Sequence, residues 1–287
     1  MSTTTRVQPV IVGAEGMLGR QLAEVLVAEH PQTVCAGHDE LDITDYWGIR
    51  WDLERLQATV VINCAAFTDV DGCESRPDLA QQVNGVGAGN LARACHETEA
   101  RLIHVSTDFV FDGAEERPYR EQAATHPISL YGRSKLEGEL EVASAHPDHL
   151  ILRTSWLYGP HGKNFISAIL KAARAGGPLK VVHDQRGTPT YTRDLAEAIL
   201  RLLSVGARGV MHFANAGVCS RYDFAVEALR LAGMEEVPVE SIGSNELDRP
   251  ARRPANSALD ASRYTELTGL TPRPWQETLV DYLEATG

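Results

Sequence analysis

The chain of 287 residues is poor in basic side chains. It has 27 lysines and arginines against 39 acidic residues, a formal net charge of −12, and its only lysines are Lys135, Lys163, Lys171 and Lys180. No block of lysine or arginine occurs in the sequence. A nucleic-acid-binding domain normally carries a basic patch, so the composition argues against a nucleic-acid partner. Because lysine is scarce, a lysine inside a motif is more informative than usual.

Closely spaced cysteine pairs and long apolar runs are also missing. The five cysteines are odd in number and no two of them are separated by two residues, so neither a disulfide framework nor a metal site is expected. The first residues show no basic segment followed by an apolar one, and no apolar run approaches the roughly 18 residues of a membrane span. We therefore expect a cytoplasmic protein with reduced thiols and no membrane partner.

The first half of the chain alternates short apolar runs with helical patterns. Strands are predicted at 9–13, 33–36, 59–63, 101–106 and 150–153, and helices at 16–29, 79–96 and 129–145. Such alternation predicts the α/β class, with a Rossmann-type doubly wound parallel sheet and a smaller C-terminal substrate-binding lobe. The dinucleotide-binding domain is predicted over 1–160, completed by about 188–215. The lobe is predicted over 161–187 and 216–287.

A glycine-rich turn follows the first predicted strand and opens the first predicted helix. Gly13, Gly16 and Gly19 allow a tight turn and a close approach of the backbone to a pyrophosphate, while the helix N-terminus offers free N–H groups. An acidic residue about 20 positions later would hold the adenosine ribose, and Asp39 stands there with Asp42 close behind. No arginine within 35–41 could pair with a 2′-phosphate. The cofactor is therefore expected to be NADH or NADPH, with a slight preference for NAD.

A tyrosine and a lysine four residues apart lie on one face of the helix predicted at 129–145. Tyr131 would transfer a proton, and the nearby ammonium of Lys135 would lower the pKa of the phenol. Thr107 ends the fourth predicted strand, at the sheet edge where ligands bind in this architecture, and its hydroxyl could hold a reacting carbonyl oxygen.

Eight short stretches resemble those of the extended short-chain dehydrogenase/reductase family, and within it the dTDP-4-dehydrorhamnose reductases. The stretches are GMLG at 16–19, LDITD at 41–45, VINCAAFTDVD at 61–71, STDFVFDG at 106–113, YGRSKLEGE at 131–139, RTSWLYG at 153–159, DQRGTPT at 184–190 and RPANS at 253–257. They occur in the expected order and cover nearly the whole chain. The first and fifth are shared by the wider family.

The resemblance implies that NADPH or NADH reduces carbon 4 of a dTDP-linked 6-deoxy-4-keto sugar to give dTDP-L-rhamnose. Tyr131 would donate the proton, and Lys135 would tune Tyr131 and hold the nicotinamide ribose. The implied cofactor contacts are Gly16, Met17, Leu18, Asp42, Ile43, Cys64, Ala65 and Ala66. The implied substrate contacts are Thr107, Asp108, Trp156 and Arg253, of which Trp156 could equally be a core aromatic residue.

The same resemblance leaves related activities open. Nucleotide-sugar 4,6-dehydratases carry Thr-Asp-Glu where this chain has Thr107, Asp108 and Phe109, so the base for elimination is missing. A nucleotide-sugar epimerase, a reductase of another nucleotide sugar, or a non-catalytic regulatory subunit like that of methionine adenosyltransferase would share the fold. A homodimer is compatible with the sequence, because a dimer helix would look like any amphipathic helix.

Overall fold

The computed structural model describes residues 7–287. Its strands are β1 (Pro9–Val12), β2 (Val34–Ala36), β3 (Val60–Asn63), β4 (Arg101–Thr107), β5 (His149–Thr154), β6 (Leu157–Tyr158), β7 (Leu179–Val182), β8 (Arg186–Gly187), β9 (Thr190–Tyr191), β10 (Gly209–His212), β11 (Cys219–Ser220) and β12 (Val239–Ile242). Its α-helices are α1 (Met17–Glu29), α2 (Tyr46–Leu56), α3 (Val70–Ser75), α4 (Pro77–Ala80), α5 (Ala88–Glu97), α6 (Leu130–Ala145), α7 (Phe165–Arg174), α8 (Thr192–Ser204), α9 (Arg221–Leu231), α10 (Ser262–Thr268) and α11 (Trp275–Thr286).

Six parallel strands form the central sheet in the order β10-β5-β4-β3-β1-β2. Successive side chains of β1 point to opposite faces, so Val10 and Val12 enter one hydrophobic core and Ile11 enters the other. The first core includes buried residues of α2 and α5, and the second includes buried residues of α1 and α8. The predicted α/β class with a parallel, doubly covered sheet is confirmed.

A third hydrophobic core belongs to the C-terminal half of the chain. It gathers α7, α9 and α11 with the parallel pair β7 and β12, and Tyr158, Phe224 and Trp275 are among its buried aromatic residues. Tyr264 on α10 packs in the second core instead, with its ring 4.9 Å from that of Phe213. The division into a domain over 1–160 and 188–215 and a lobe over 161–187 and 216–287 stays a prediction.

In the first half of the chain the structure departs from the sequence prediction at three places, one of which is the short helix α3, which was not predicted. Helix α2 was not predicted, because only Ile49 and Leu53 of its apolar residues are buried while Trp47 and Trp51 are exposed, which hides the periodicity. The helix predicted at 79–96 is divided into α4, a π-helix over Gln81–Gly87, and α5. Among the helices of residues 7–287, none is long and apolar enough to cross a membrane.

Candidate active site

A cleft of about 780 Å³ opens at the carboxyl ends of β1, β3, β4 and β5. One wall comes from the sheet edge and the start of α1, and the other comes from the C-terminal half of the chain. Ligands of open α/β sheets bind at this edge because the loops there diverge. Of the predicted site residues, those that line the cleft are Gly16, Met17, Leu18, Cys64, Ala66, Thr107, Asp108, Tyr131, Lys135, Trp156 and Arg253.

The glycine-rich turn has no side chains at its closest approaches, so its backbone N–H groups are accessible to a ligand. Gly13 has φ +75°, and a Cβ there would lie 2.6 Å from the Ala65 nitrogen, so no other residue fits without strain. A Cβ on Gly19 would lie 2.7 Å from the Cα of Ala14. Gly16 caps α1 without a side chain, so the first N–H groups of the helix face the cleft. This cradle fits the pyrophosphate of a dinucleotide.

Five predicted cofactor residues do not line the cleft: Gly13, Asp39, Asp42, Ile43 and Ala65. Asp39 is exposed beyond the end of β2. The carboxylate of Asp42 accepts hydrogen bonds from the Thr44 N–H and hydroxyl, each at 2.9 Å, which lower the pKa of Asp42. Their contacts to a cofactor, and the slight preference for NAD, stay predictions.

Tyr131 lies in the first turn of α6, where its ring meets Phe109 edge-on at 5.6 Å. Burial raises the pKa of the phenol; Asp108 and Cys73 raise it further, and only a hydrogen bond with Thr107 lowers it. The expectation that Lys135 lowers the pKa of Tyr131 is wrong in this structure, because desolvation of the phenolate raises that pKa and the side chains that shift it are Thr107, Asp108 and Cys73. Tyr131 therefore stays protonated at neutral pH, which is the form of a proton donor.

Lys135 is buried one turn further along α6. Its Nζ donates to the Val105 carbonyl oxygen at 2.8 Å and lies 3.5 Å from Nε2 of His104. Burial lowers the pKa of Lys135 to about 8. Burial also holds the pKa of His104 well below its usual range, so the imidazole is neutral; its Nδ1 lies 3.0 Å from the Asn63 amide nitrogen. His104 and Asn63 were not predicted as site residues.

Thr107 and Asp108 end β4 and open a short 3₁₀ turn. The Thr107 hydroxyl donates to Oδ1 of Asp108 at 3.1 Å and accepts from the Phe109 N–H at 3.2 Å. The other carboxylate oxygen, Oδ2 of Asp108, is buried and has no hydrogen bond of good geometry among the described residues, although the Ser257 side chain lies close enough to lower the pKa of Asp108. Burial raises the pKa of Asp108 to about 6. A buried acceptor without a partner at a cleft wall fits a ligand hydroxyl group.

Two buried polar residues that were not predicted from the sequence position the elements that carry the site residues. Glu139 on α6 pairs with Arg153 on β5 at 2.6 Å and also accepts from the hydroxyl of Ser106 on β4. Asn84 in the π-helix accepts from the Phe67 N–H at 2.8 Å and donates to the Phe67 carbonyl. Glu139 closes the family-like stretch at 131–139 and Asn84 lies in an ordinary helical pattern, but only their tertiary contacts reveal what either residue does.

Trp156 and Arg253 stand on the far side of the cleft. Trp156 has φ +48°, a conformation that L-residues rarely adopt, and lines the cleft half-buried. A Cβ on Gly187 would lie 2.5 Å from the Trp156 ring, so the glycine makes room for the indole. The guanidinium of Arg253 is held by Asp71 through contacts of 2.7 and 2.6 Å. The cleft also includes Arg221 and Arg249, which were not predicted.

The parallel sheet, the glycine cradle and the Tyr131–Lys135 pair define the class: a Rossmann-type, nicotinamide-dependent reductase of the short-chain dehydrogenase/reductase kind. The model of the RmlD substrate binding domain family matches residues 8–287. The chain belongs to this family.

Relatives of known name agree with this membership. The chain is 45% identical over 285 residues to a dTDP-4-dehydrorhamnose reductase of Mycobacterium tuberculosis, covering 96% of this chain and 92% of the relative. A crystal structure of a dTDP-4-dehydrorhamnose reductase of Clostridium acetobutylicum superposes with TM-score 0.94 at 40% identity, covering 97% of this chain and 99% of the other. One of Bacillus anthracis, in complex with NADP, has TM-score 0.94 at 35% identity and covers 98% and 100%.

Asp108 is expected to reduce the stability of the folded protein above its own pKa. The pKa is raised from 3.8 to about 6, so the cost of the buried charge is full above pH 6 and disappears below pH 4. Replacing Asp108 by Asn should therefore raise the free energy of unfolding at pH 7.5 by about 1–3 kcal/mol, and by much less near pH 4.5. Urea unfolding at the two pH values measures the difference.

The matched control is Asp112→Asn. The Asp112 carboxylate accepts from the Ala114 N–H and the Tyr119 hydroxyl, which lower the pKa of Asp112, so its replacement should reduce stability at pH 7.5. Equal stability of the wild type and Asp108→Asn at pH 7.5 would show that the carboxylate is not desolvated.

Proposed function

We propose that this protein reduces the 4-keto group of dTDP-4-dehydro-L-rhamnose to give dTDP-L-rhamnose, with NADPH or NADH as the reductant. The observation that carries the proposal is the arrangement at the end of β4, where a buried, protonated Tyr131 stands beside Thr107 and the unpartnered oxygen of Asp108. Relatives that share most of the chain are named for this reaction, and one solved relative holds NADP.

The residues of the cleft fit a nicotinamide dinucleotide. Gly16, Met17 and Leu18 would hold its phosphates at the start of α1, and Cys64 and Ala66 would lie along it. Lys135 would hold the nicotinamide ribose from the α6 side. The bound cofactor supplies the hydride that is added to carbon 4 of the sugar.

The protein supplies the proton and the orientation of the sugar. As carbon 4 is reduced, negative charge develops on its oxygen, and the Tyr131 hydroxyl donates its proton there. The hydrogen bond with Thr107 stabilises the phenolate that remains, and the ammonium of Lys135 would hold the nicotinamide ribose. The Thr107 hydroxyl positions the same oxygen, and Oδ2 of Asp108 accepts a hydrogen bond from a sugar hydroxyl, which fills the vacant acceptor.

Phe109 favours reduction over elimination of water. Its aromatic ring packs edge-on against Tyr131 and lines the cleft, in the position that follows Thr107 and Asp108. A phenyl ring cannot remove a proton from the sugar, whereas elimination requires a base there. Reduction needs only the hydride and the proton of Tyr131, so it can proceed at this site.

The cellular setting belongs to the same proposal. The five cysteines are free thiols in the structure, which suits the reducing cytoplasm, and we propose that compartment for the enzyme. The homodimer stays a prediction.

Replacing Tyr131 by Phe should remove the proton donor and leave the packing against Phe109 in place. We expect kcat to fall by about 10²–10⁴-fold for both cofactors. The assay follows reduced-nicotinamide absorbance with enzymatically generated dTDP-4-dehydro-L-rhamnose. Tyr46→Phe is the control, since the Tyr46 hydroxyl contacts Glu97 on the surface, and it should leave kcat unchanged. Stoichiometric loss of reduced cofactor distinguishes the reductase from an epimerase, and an unimpaired Tyr131→Phe would contradict the mechanism.

The pH profile of kcat/KM should be bell-shaped. Below about pH 6 Asp108 gains a proton and becomes a weaker acceptor for the sugar hydroxyl, so the rate falls on the acid side. Above about pH 8 Lys135 loses its charge and part of its hold on the cofactor ribose, so the rate falls on the alkaline side. Steady-state rates from pH 5 to 9.5 measure both limbs. The acid limb should vanish in Asp108→Asn, and a profile with the same acid limb in this variant would contradict the assignment.

A further inference from the structure

Three arginines, Arg221, Arg249 and Arg253, contribute to the wall of the cleft that faces the sheet. Their partners differ. Arg253 forms a close pair with Asp71 at 2.6 Å, and Arg249 reaches the same carboxylate at 3.9 Å. The guanidinium of Arg221 forms neither an ion pair nor a hydrogen bond with any residue in the described part of the chain. The charge of Arg221 is therefore left for a ligand.

The guanidinium of Arg221 lies over an aromatic ring. Arg221 is the first residue of α9, whose start is fixed by reciprocal hydrogen bonds between Ser220 and Asp223. Its guanidinium carbon lies 3.6 Å from the ring centroid of Trp156 and 4.9 Å from that of Phe165. Stacking on an aromatic face leaves the N–H groups directed outward in the plane, where they can grip two oxygens at once.

Charges around Arg221 are arranged as at an anion site. Burial lowers the pKa of Arg221 to about 10, so the guanidinium stays charged at neutral pH. Asp108 attracts this charge, while Arg249 and Arg253 repel it. Keeping a partly desolvated cation beside two like charges is unfavourable unless an anion compensates.

We propose that Arg221, stacked on Trp156, is the residue that binds the diphosphate group of the sugar nucleotide. The inference rests on the proposed function and adds a residue to its substrate site. It also assigns the two anionic groups to opposite walls: the dinucleotide pyrophosphate to the glycine cradle at α1, and the substrate diphosphate to α9. Arg253, held by Asp71, instead ties the 249–253 segment to α3.

The test is binding of three ligands to wild type and to Arg221→Met by isothermal titration calorimetry. Methionine keeps an unbranched, flexible side chain that can pack on the indole, but it removes the charge and the N–H donors. We expect the affinity for thymidine diphosphate to fall by about 10–100-fold, while the affinities for thymidine and NADPH stay unchanged. Arg230→Leu is the matched control: Arg230 is exposed on the same helix, pairs with Glu227 and lies outside the cleft, so it should change nothing.

A second variant shows whether a loss of affinity in Arg221→Met reflects the missing cation rather than misfolding. Arg221→Lys retains a cation but loses the planar fork, so its affinity for thymidine diphosphate should lie between those of wild type and Arg221→Met. Circular dichroism checks the fold of each variant.

Four results would overturn the inference. Wild-type affinity for thymidine diphosphate in Arg221→Met would exclude the contact, and a loss confined to NADPH would place Arg221 at the cofactor. Equal losses of affinity for thymidine and for thymidine diphosphate would show that Arg221 does not contact the diphosphate and acts only by packing against Trp156. If wild type binds NADPH but not thymidine diphosphate, the proposed function itself fails, and the inference with it.

Discussion

Removal of three ionisable side chains from water at the carboxyl end of β4 is the constraint on which the rest of the site depends. Burial disfavours the charged form of each group, so it keeps Tyr131 protonated, brings the pKa of Asp108 up to about 6 and brings that of Lys135 down to about 8. Between these two values a proton donor, a carboxylate acceptor and an ammonium coexist. One physical effect thus prepares all three groups for a reduction near neutral pH.

The scaffold sustains this burial through contacts made behind the site. The Glu139–Arg153 pair joins α6 to β5, and Asn84 fixes the loop that follows β3. Gly138 lets α6 approach the π-helix closely, because a Cβ there would lie 3.2 Å from the Cβ of Ala88 and closer still to the Asn84 backbone. Such packing keeps water from the face of α6 that carries Tyr131 and Lys135. Breaking the buried ion pair would therefore disturb the site without touching a ligand.

Features encoded locally could be predicted from the sequence, and features that arise from tertiary packing could not. Five of the six strands of the sheet follow from apolar runs, whereas β10 was not predicted. The turn at Gly13 follows from its spacing and position between a strand and a helix. The direction of the Tyr131 pKa could not be read from the spacing to Lys135, because it depends on desolvation by residues distant in sequence. Arg221 lies among 23 arginines in the chain, and only its stacking on Trp156 distinguishes it.

The most direct test of the central claim is transfer of deuterium from a reduced nicotinamide cofactor labelled at its reactive carbon to the sugar nucleotide. The account predicts one deuterium at carbon 4 of the product for each cofactor oxidised, seen by mass spectrometry and located by NMR, and almost none with Tyr131→Phe over the same time. A product without the label, or label transfer that is equally fast without the Tyr131 hydroxyl, would contradict the claim that this site reduces a keto sugar by hydride addition and proton donation.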